Sequence, residues 1–250
     1  MPLRLLCLHG WGTNQKVSQS VETDSTIAVE YEIVHVDNGE SLTHHDHIGG
    51  LINDLERDNT ATFHFLEGDI DSEPGPGIGG FYDGPYYSYY RFPRTFSPED
   101  SDESDILEAY DLLYETIAME GPFDGILGFS HGGTLAAGFL IHHAKLYPTE
   151  PALFRCAIFV NSLPPFRMEP GERPVVEDGL EGYITIPSVT IGGTKDPLFD
   201  YSLALHQICD RRRSTFAVHS KGHDIPNDRT NVAVMAAAIR KLSIQALGIW

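Results

Sequence analysis

Short apolar runs recur along the chain and break off at glycine or small polar residues. Leu3-Arg4-Leu5-Leu6-Cys7-Leu8, Ile126-Leu127, Arg155 to Val160 and Ile186 to Ile191 are nearly continuous in apolar side chains, the pattern of strands buried on both faces. Ala61 to Leu66 and Thr215 to Val218 read as further strands, and Tyr31 to Val36 alternates like a half-buried one before a turn at Asp37-Asn38-Gly39. Between these runs the period changes to that of helices. Gly50 to Glu56, Ile106 to Ile117, the stretch holding Leu135, Ala136, Phe139 and Leu140, Phe199 to Cys209, and Thr230 to Leu247 carry their apolar residues at helical spacing. Thr13-Asn14 is placed to cap another short helix, and Gly121-Pro122 stops the helix before it. Strands alternating with helices predict an α/β protein: a doubly wound, mainly parallel sheet with helices on both faces. No repeat and no linker divides the 250 residues, so one domain over 1–250 is expected.

Two segments fit neither period. Glu67 to Pro98 is rich in glycine, proline and aromatic residues, and residues 163–183 are polar and proline-rich. Long segments without regular structure are commonly functional, and the aromatic content of the first argues that it packs. Residues 68–105 and 163–183 are therefore expected to border a cleft, with Phe81, Tyr82, Tyr86 and Tyr89 on its wall. The competing reading is an aromatic flap that covers a sheet edge.

Composition narrows the class. The net charge is −19, and residues 1–125 hold 25 Asp and Glu against 5 Lys and Arg. A surface of that sign repels phosphate and argues against nucleic acid as a partner. The basic run Arg211-Arg212-Arg213 only precedes a strand. Cys7, Cys156 and Cys209 show no paired spacing, and two of them lie inside apolar strands, as small core residues in a reducing compartment do. A strand begins almost at Met1 with no secretory signal, and no run of 18 apolar residues exists, so a cytoplasmic protein that does not enter the membrane is expected. His44, His45, Asp46 and His47 invite a metal reading, but the spacing is too tight for a tetrahedral site, and a solvated loop is the better account.

The candidate chemistry sits where strands end. Gly128-Phe129-Ser130-His131-Gly132 fits G-x-S-x-G between an apolar strand and a helical pattern, the context of a nucleophile elbow. A serine nucleophile needs a base, and the base an orienting carboxylate. The strand ending at Ile191 leads into Gly192-Gly193-Thr194-Lys195-Asp196, and the next leads into His219-Ser220-Lys221-Gly222-His223. Ser130, Asp196 and His223 thus follow three strand ends in the order Ser, Asp, His. Asp224 is a second candidate for the acid, although its place next to His223 should turn its side chain away. Ser162, after another strand, is a rival nucleophile without flanking glycines. The His9-Gly10-Trp11-Gly12 turn reads either as a tight strand-to-helix turn or as the loop that supplies one oxyanion-binding N–H. With Ser130 as nucleophile the second reading is preferred: Trp11 and His131 would contribute the two N–H groups, and His9 would lie against substrate.

These motifs resemble those of the serine-hydrolase family typified by small yeast enzymes. The resemblance rests on Leu8-His9-Gly10-Trp11-Gly12-Thr13-Asn14, Asp124 to Gly132, Gly192 to Asp196, and Gly222-His223-Asp224-Ile225-Pro226. Gly84-Pro85-Tyr86-Tyr87-Ser88-Tyr89-Tyr90 is similar to the fungal, polyketide-associated branch, which includes the lovastatin diketide thioesterase. The resemblance implies the α/β-hydrolase fold and triad roles for Ser130, Asp196 and His223, with neither metal nor cofactor. It also implies an acyl thioester substrate, a polyketide chain on an acyl carrier protein, or alternatively the simple esters of a carboxylesterase. Carrier proteins are acidic, so docking would use local basic patches around Arg91 and Arg94 or Arg167 and Arg173. Two features depart from the family: His131 stands where many relatives have Gln, and residues 20–47 lengthen the segment before Phe63.

Overall fold

The computed structural model describes residues 1–14, 49–75, 84–91, 104–167 and 174–248. In chain order its elements are β1 (Leu3–Leu8), α1 (Gly49–Arg57), β2 (Ala61–Leu66), β3 (Ile70–Asp71), β4 (Tyr87–Ser88), α2 (Ser104–Glu120), β5 (Gly125–Phe129), α3 (His131–Leu146), β6 (Cys156–Val160), β7 (Phe166–Arg167), β8 (Val175–Val176), β9 (Ser188–Gly193), α4 (Phe199–Ile208), β10 (Ser214–His219) and α5 (Arg229–Leu247). The near-continuous apolar runs became the inner strands. β6 and β9 are buried at every position, while the edge strands β2 and β10 are mostly half-buried.

Six strands form one sheet in the order β10-β9-β6-β5-β1-β2, every pair parallel. Parallel sheets need cover on both faces, and two clusters supply it. On one face α2, α3 and α4 pack through Leu113, Phe139 and Leu205. On the other, α1 and α5 pack through Leu51, Leu55, Met235 and Ile239. The chain leaves β1 to one side for β2, then returns to the other for β5, β6, β9 and β10. That reversal opens a crevice at the carboxyl ends of β1 and β5, where ligands bind in such sheets. Leu8 pairs with Gly128, which sets the loop after β1 beside the loop after β5.

Several boundaries differ from expectation for local reasons. β9 starts at Ser188 rather than Ile186, because Pro187 has no N–H for the ladder. α5 starts at Arg229, one residue early, because Asp228 caps it by accepting from Asn231 N at 3.1 Å. The helix that Thr13-Asn14 was expected to cap lies outside the described residues; Thr13 bridges to Tyr87, its hydroxyl donates to Gly10 O, and Asn14 Nδ2 donates to Pro85 O.

The two irregular segments each contain a small antiparallel pair, β3 with β4 and β7 with β8, which pattern alone did not reveal because each strand has two residues. Tyr31 to Val36 and the His44–His47 cluster lie outside the described residues. Cys7, Cys156 and Cys209 are buried thiols, and burial pushes Cys156 up to about 12 and Cys209 up to about 11. Among the described residues no helix is long and apolar enough to cross a membrane.

Candidate active site

β5 delivers Ser130 into a backbone conformation of φ 53° and ψ −117°, which L residues rarely adopt. Two glycines make it possible. A Cβ on Gly128 would collide with the backbone of Gly133, and one on Gly132 would collide with the carbonyls of Leu8 and His9. Ser130 N donates to Val160 O at 2.9 Å, and Ser130 O accepts from Gly133 N and Thr134 N as α3 begins. The hydroxyl is thereby held at the sheet's carboxyl edge, above the positive end of a helix.

Asp196 and His223 arrive from the next two strand ends. Asp196 Oδ1 accepts from Leu198 N at 2.8 Å, an Asx turn that pins the carboxylate at the entry to α4. Its other oxygen, Oδ2, lies 2.8 Å from His223 Nδ1, and the Asp196 side chain is fully buried while that of His223 is a third exposed. His223 Nε2 is 2.8 Å from Ser130 Oγ. The carboxylate can only accept, so Nδ1 carries the proton, and Nε2 is left to accept from the serine hydroxyl. The arrangement can remove a proton from Ser130 and return it to a leaving group. Asp224, the other candidate acid, uses its backbone carbonyl to accept from Asn161 Nδ2 at 2.7 Å. Ser162 is wholly buried and donates to Val160 O at 2.8 Å, so it is no rival nucleophile.

Asn161 is the residue that reading the sequence missed. Buried completely at the end of β6, with φ 47°, it reaches both partner loops. Its Oδ1 accepts from Gly193 N at 2.8 Å, on the loop to Asp196, and lies 3.3 Å from His219 Nε2. Its Nδ2 holds the carbonyl next to His223. An asparagine directly after a buried strand, where positive φ is tolerated best by Asn, was the available signal.

The loop after β1 comes close to the nucleophile: a Cβ on Gly10 would approach Ser130 Cβ to 3.8 Å. Trp11 follows on that loop and is half-buried, and His131 stands directly after Ser130 at the first position of α3. The expectation that His9 and Tyr89 touch substrate is corrected. Both are buried, 2% and 1% exposed, and their polar atoms are spent inside the protein. His9 Nδ1 donates to Gly10 O at 2.7 Å and Nε2 accepts from Gly68 N at 3.0 Å. The Tyr89 hydroxyl donates to Leu66 O at 2.7 Å and accepts from His9 N at 3.1 Å. Tyr89 N in turn donates to His131 Nε2 at 3.3 Å, and the His131 ring stacks on Tyr90 with centroids 4.0 Å apart. Burial lowers His9 to about 4 and His131 to about 3, so both rings are neutral at pH 7. Tyr86 is half-buried, and Phe81 and Tyr82 lie outside the described residues.

A cleft of about 280 Å³ is lined by residues of α2 and α3, among them Tyr110, Thr134 and Gly138, and by Phe166 and Leu180. Among the described residues no group of His, Cys, Asp or Glu is arranged to hold a metal ion.

A family model described as "Serine hydrolase (FSH1)" matches residues 1–235. Hydrolase phiM of Talaromyces stipitatus is 37% identical, over 96% of this chain and 88% of its own length. Esterase FPY3 of Fusarium mangiferae is 30% identical, over 98% of this chain and 99% of its own. Among solved structures, a carboxylesterase from Mesorhizobium loti superposes with a TM-score of 0.56 at 16% identity, covering 94% of this chain and 87% of that one. Acyl-protein thioesterase 2 of Zea mays gives 0.54 at 15%, covering 98% and 94%. At that identity the structures speak to the fold alone, which is that of the α/β-hydrolases.

Proposed function

The chain belongs to the serine hydrolase (FSH1) family, and from that premise we propose that it hydrolyses acyl thioesters through an acyl-serine intermediate on Ser130. The reading is carried by the unbroken contact from Asp196 through His223 to Ser130, with 2.8 Å at each step. His223 takes the hydroxyl proton as Ser130 Oγ attacks the carbonyl carbon. The N–H groups of Trp11 and His131 bind the oxyanion, each contributing roughly 2.7–4 kcal/mol. Collapse breaks the carbon–sulfur bond, and His223 gives its proton to the departing thiolate. Water then attacks the acyl-serine with His223 as base, which releases the acid and restores the serine. Asp196 holds the imidazole in line and stabilises its charge.

The substrate proposed is a polyketide-type acyl chain carried on an acyl carrier protein. The similarity of Gly84 to Tyr90 to the polyketide-associated branch supports it. Net charge works against such a partner, since both surfaces are acidic. Docking would rely on a local basic patch, to which the exposed Arg91 and Arg167 would contribute; Arg94 and Arg173 lie outside the described residues. The second reading, a carboxylesterase on small-molecule esters, is favoured by the relative named as an esterase.

Both chemistries share one tetrahedral intermediate, so the leaving group decides between them. The test is kcat/KM on matched oxygen and sulfur esters of one acid, with fluorophosphonate labelling of Ser130 as a control. A clear preference for sulfur supports the thioesterase; a clear preference for oxygen replaces it with the carboxylesterase. An unlabelled Ser130 rules out both.

A further inference from the structure

We propose that His219 is the positioning residue for the catalytic base: with Asn161 it forms a buried clamp that holds the turn bearing His223 from both sides. The inference rests on the reading of His223 as the base for Ser130. His219 ends β10 and is 1% exposed, so it reaches no substrate. Its ring lies against the acid-bearing loop, where a Cβ on Gly193 would approach His219 Cε1 to 2.7 Å. Backbone bonds stitch the same two loops together. Thr194 N donates to His219 O at 2.9 Å, and Lys195 N donates to Lys221 O at 3.0 Å. The ring therefore sits where the loop carrying Asp196 meets the turn carrying His223.

The two ring nitrogens have separate tasks. The Asn161 amide is oriented by its other bonds, Oδ1 accepting from Gly193 N and Nδ2 donating to Asp224 O. His219 Nε2, 3.3 Å from that Oδ1, therefore carries a proton. In the neutral ring Nδ1 is left to accept, and Lys221 N donates to it at 3.3 Å. The bond closes a turn of the kind that asparagine and aspartate make with the N–H two residues on. Asp196 uses the same device when it accepts from Leu198 N. His223 stands two residues past Lys221, and the next carbonyl, that of Asp224, is held by Asn161 Nδ2 at 2.7 Å. The base is thus gripped ahead by His219 and behind by Asn161, and the two grips bond each other. Ser220 N, donating to Asn231 Oδ1 at 3.0 Å, ties the start of the turn to α5. Burial lowers the pKa of His219 and keeps the ring neutral against Asp224, Asp196 and Asp228, whose charges favour the protonated form; His223 favours the neutral one. A protonated ring would turn a second N–H toward Lys221 N–H and open the turn.

The experiment compares His219→Phe, His219→Gln and His219→Asn in the full chain, reading kcat and KM on the matched oxygen and sulfur esters. His219→Phe keeps a ring but offers Lys221 N no acceptor. A drift of about 1 Å in a catalytic group costs about a hundredfold, and kcat should fall by about that factor. KM should stay within about twofold, because the clamp acts on the base and not on substrate binding. His219→Asn restores an acceptor for the N–H two residues on and gives up one neutral contact, so kcat should return to within about threefold of native. His219→Gln reaches toward Asn161 without an acceptor at the Nδ1 position; it should resemble His219→Phe, and it serves if that variant does not fold. A kcat as low in His219→Asn as in the other two, or a rise in KM with kcat unchanged, overturns the proposal. A second readout needs no turnover: the low-field NMR signal of the His223 Nδ1 proton, bonded to Asp196, should vanish in His219→Phe and His219→Gln and persist in His219→Asn. If Ser130 takes no fluorophosphonate and no ester is hydrolysed, the hydrolase reading is what has failed. That signal then judges the clamp alone: loss in His219→Gln with retention in His219→Asn upholds it, and retention in both ends it.

Discussion

At the scale of single residues, the site depends on side chains that hold other side chains. Asp196 is buried and doubly engaged, by Leu198 N and by His223, so its charge is fixed in direction as well as place. Asp196→Asn should lower kcat roughly ten-thousandfold, as loss of the orienting acid does elsewhere. Asp224→Asn should leave turnover nearly intact; steady-state kinetics on both variants compares them, and the reverse order would reassign the acid. Asn161 meets both partner loops through one amide. Asn161→Ala strands the N–H of Gly193 in the interior, at a cost of about 1–3 kcal/mol in urea unfolding. It should also lower kcat more than it raises KM, because Asp196 and His223 lose a common anchor. An unchanged kcat would mean that each loop is positioned without Asn161.

At the scale of elements, the segment 84–91 works as a strap across the turn after β1. Gly12 N donates to Tyr87 O and Tyr87 N to Thr13 O, and Tyr89 adds its hydroxyl between His9 and Leu66. The aromatic run was legible as something that packs, but tyrosine has both a ring and a hydrogen-bonding tip. Pattern does not tell a pocket wall from a strut. Tyr89→Phe removes the tip alone and leaves His9 N and Leu66 O without this partner in a buried place. A loss of about 1–3 kcal/mol is expected in denaturant unfolding. A Tyr89→Phe protein as stable as the native one would show that the strap holds without that hydroxyl.

At the scale of the whole molecule, neutral imidazoles in the interior set an acid limit. His9 and His131 sit at about 4 and about 3 in the fold, against about 6.5 in an unfolded chain. Their contribution to stability is therefore complete above about pH 6.5 and is lost as pH falls toward 4, because the unfolded chain takes up the protons first. At pH 5 the loss is about 2 kcal/mol for each ring. Urea midpoints at pH 7 and pH 5 provide the measurement, and equal midpoints would contradict neutral burial. The three buried thiols should likewise resist labelling by an aromatic disulfide until the protein unfolds.

The six strands of the main sheet with the helices between them, the two-faced burial of that sheet and the residues Ser130, Asp196 and His223 were readable from the chain. Each leaves a local trace: an uninterrupted apolar run, a glycine two places either side of a serine, an acid or a histidine just past a strand. Such traces arise because burial on both faces and a strained turn restrict which residues can stand there. What came only from the tertiary structure concerns groups far apart in the chain. The conversion of His9 and Tyr89 from expected substrate contacts into buried struts is one case, and the bridging by Asn161 is another. In each, a polar atom's role is set by which partner it meets across the fold, and residue type and spacing carry no record of that partner.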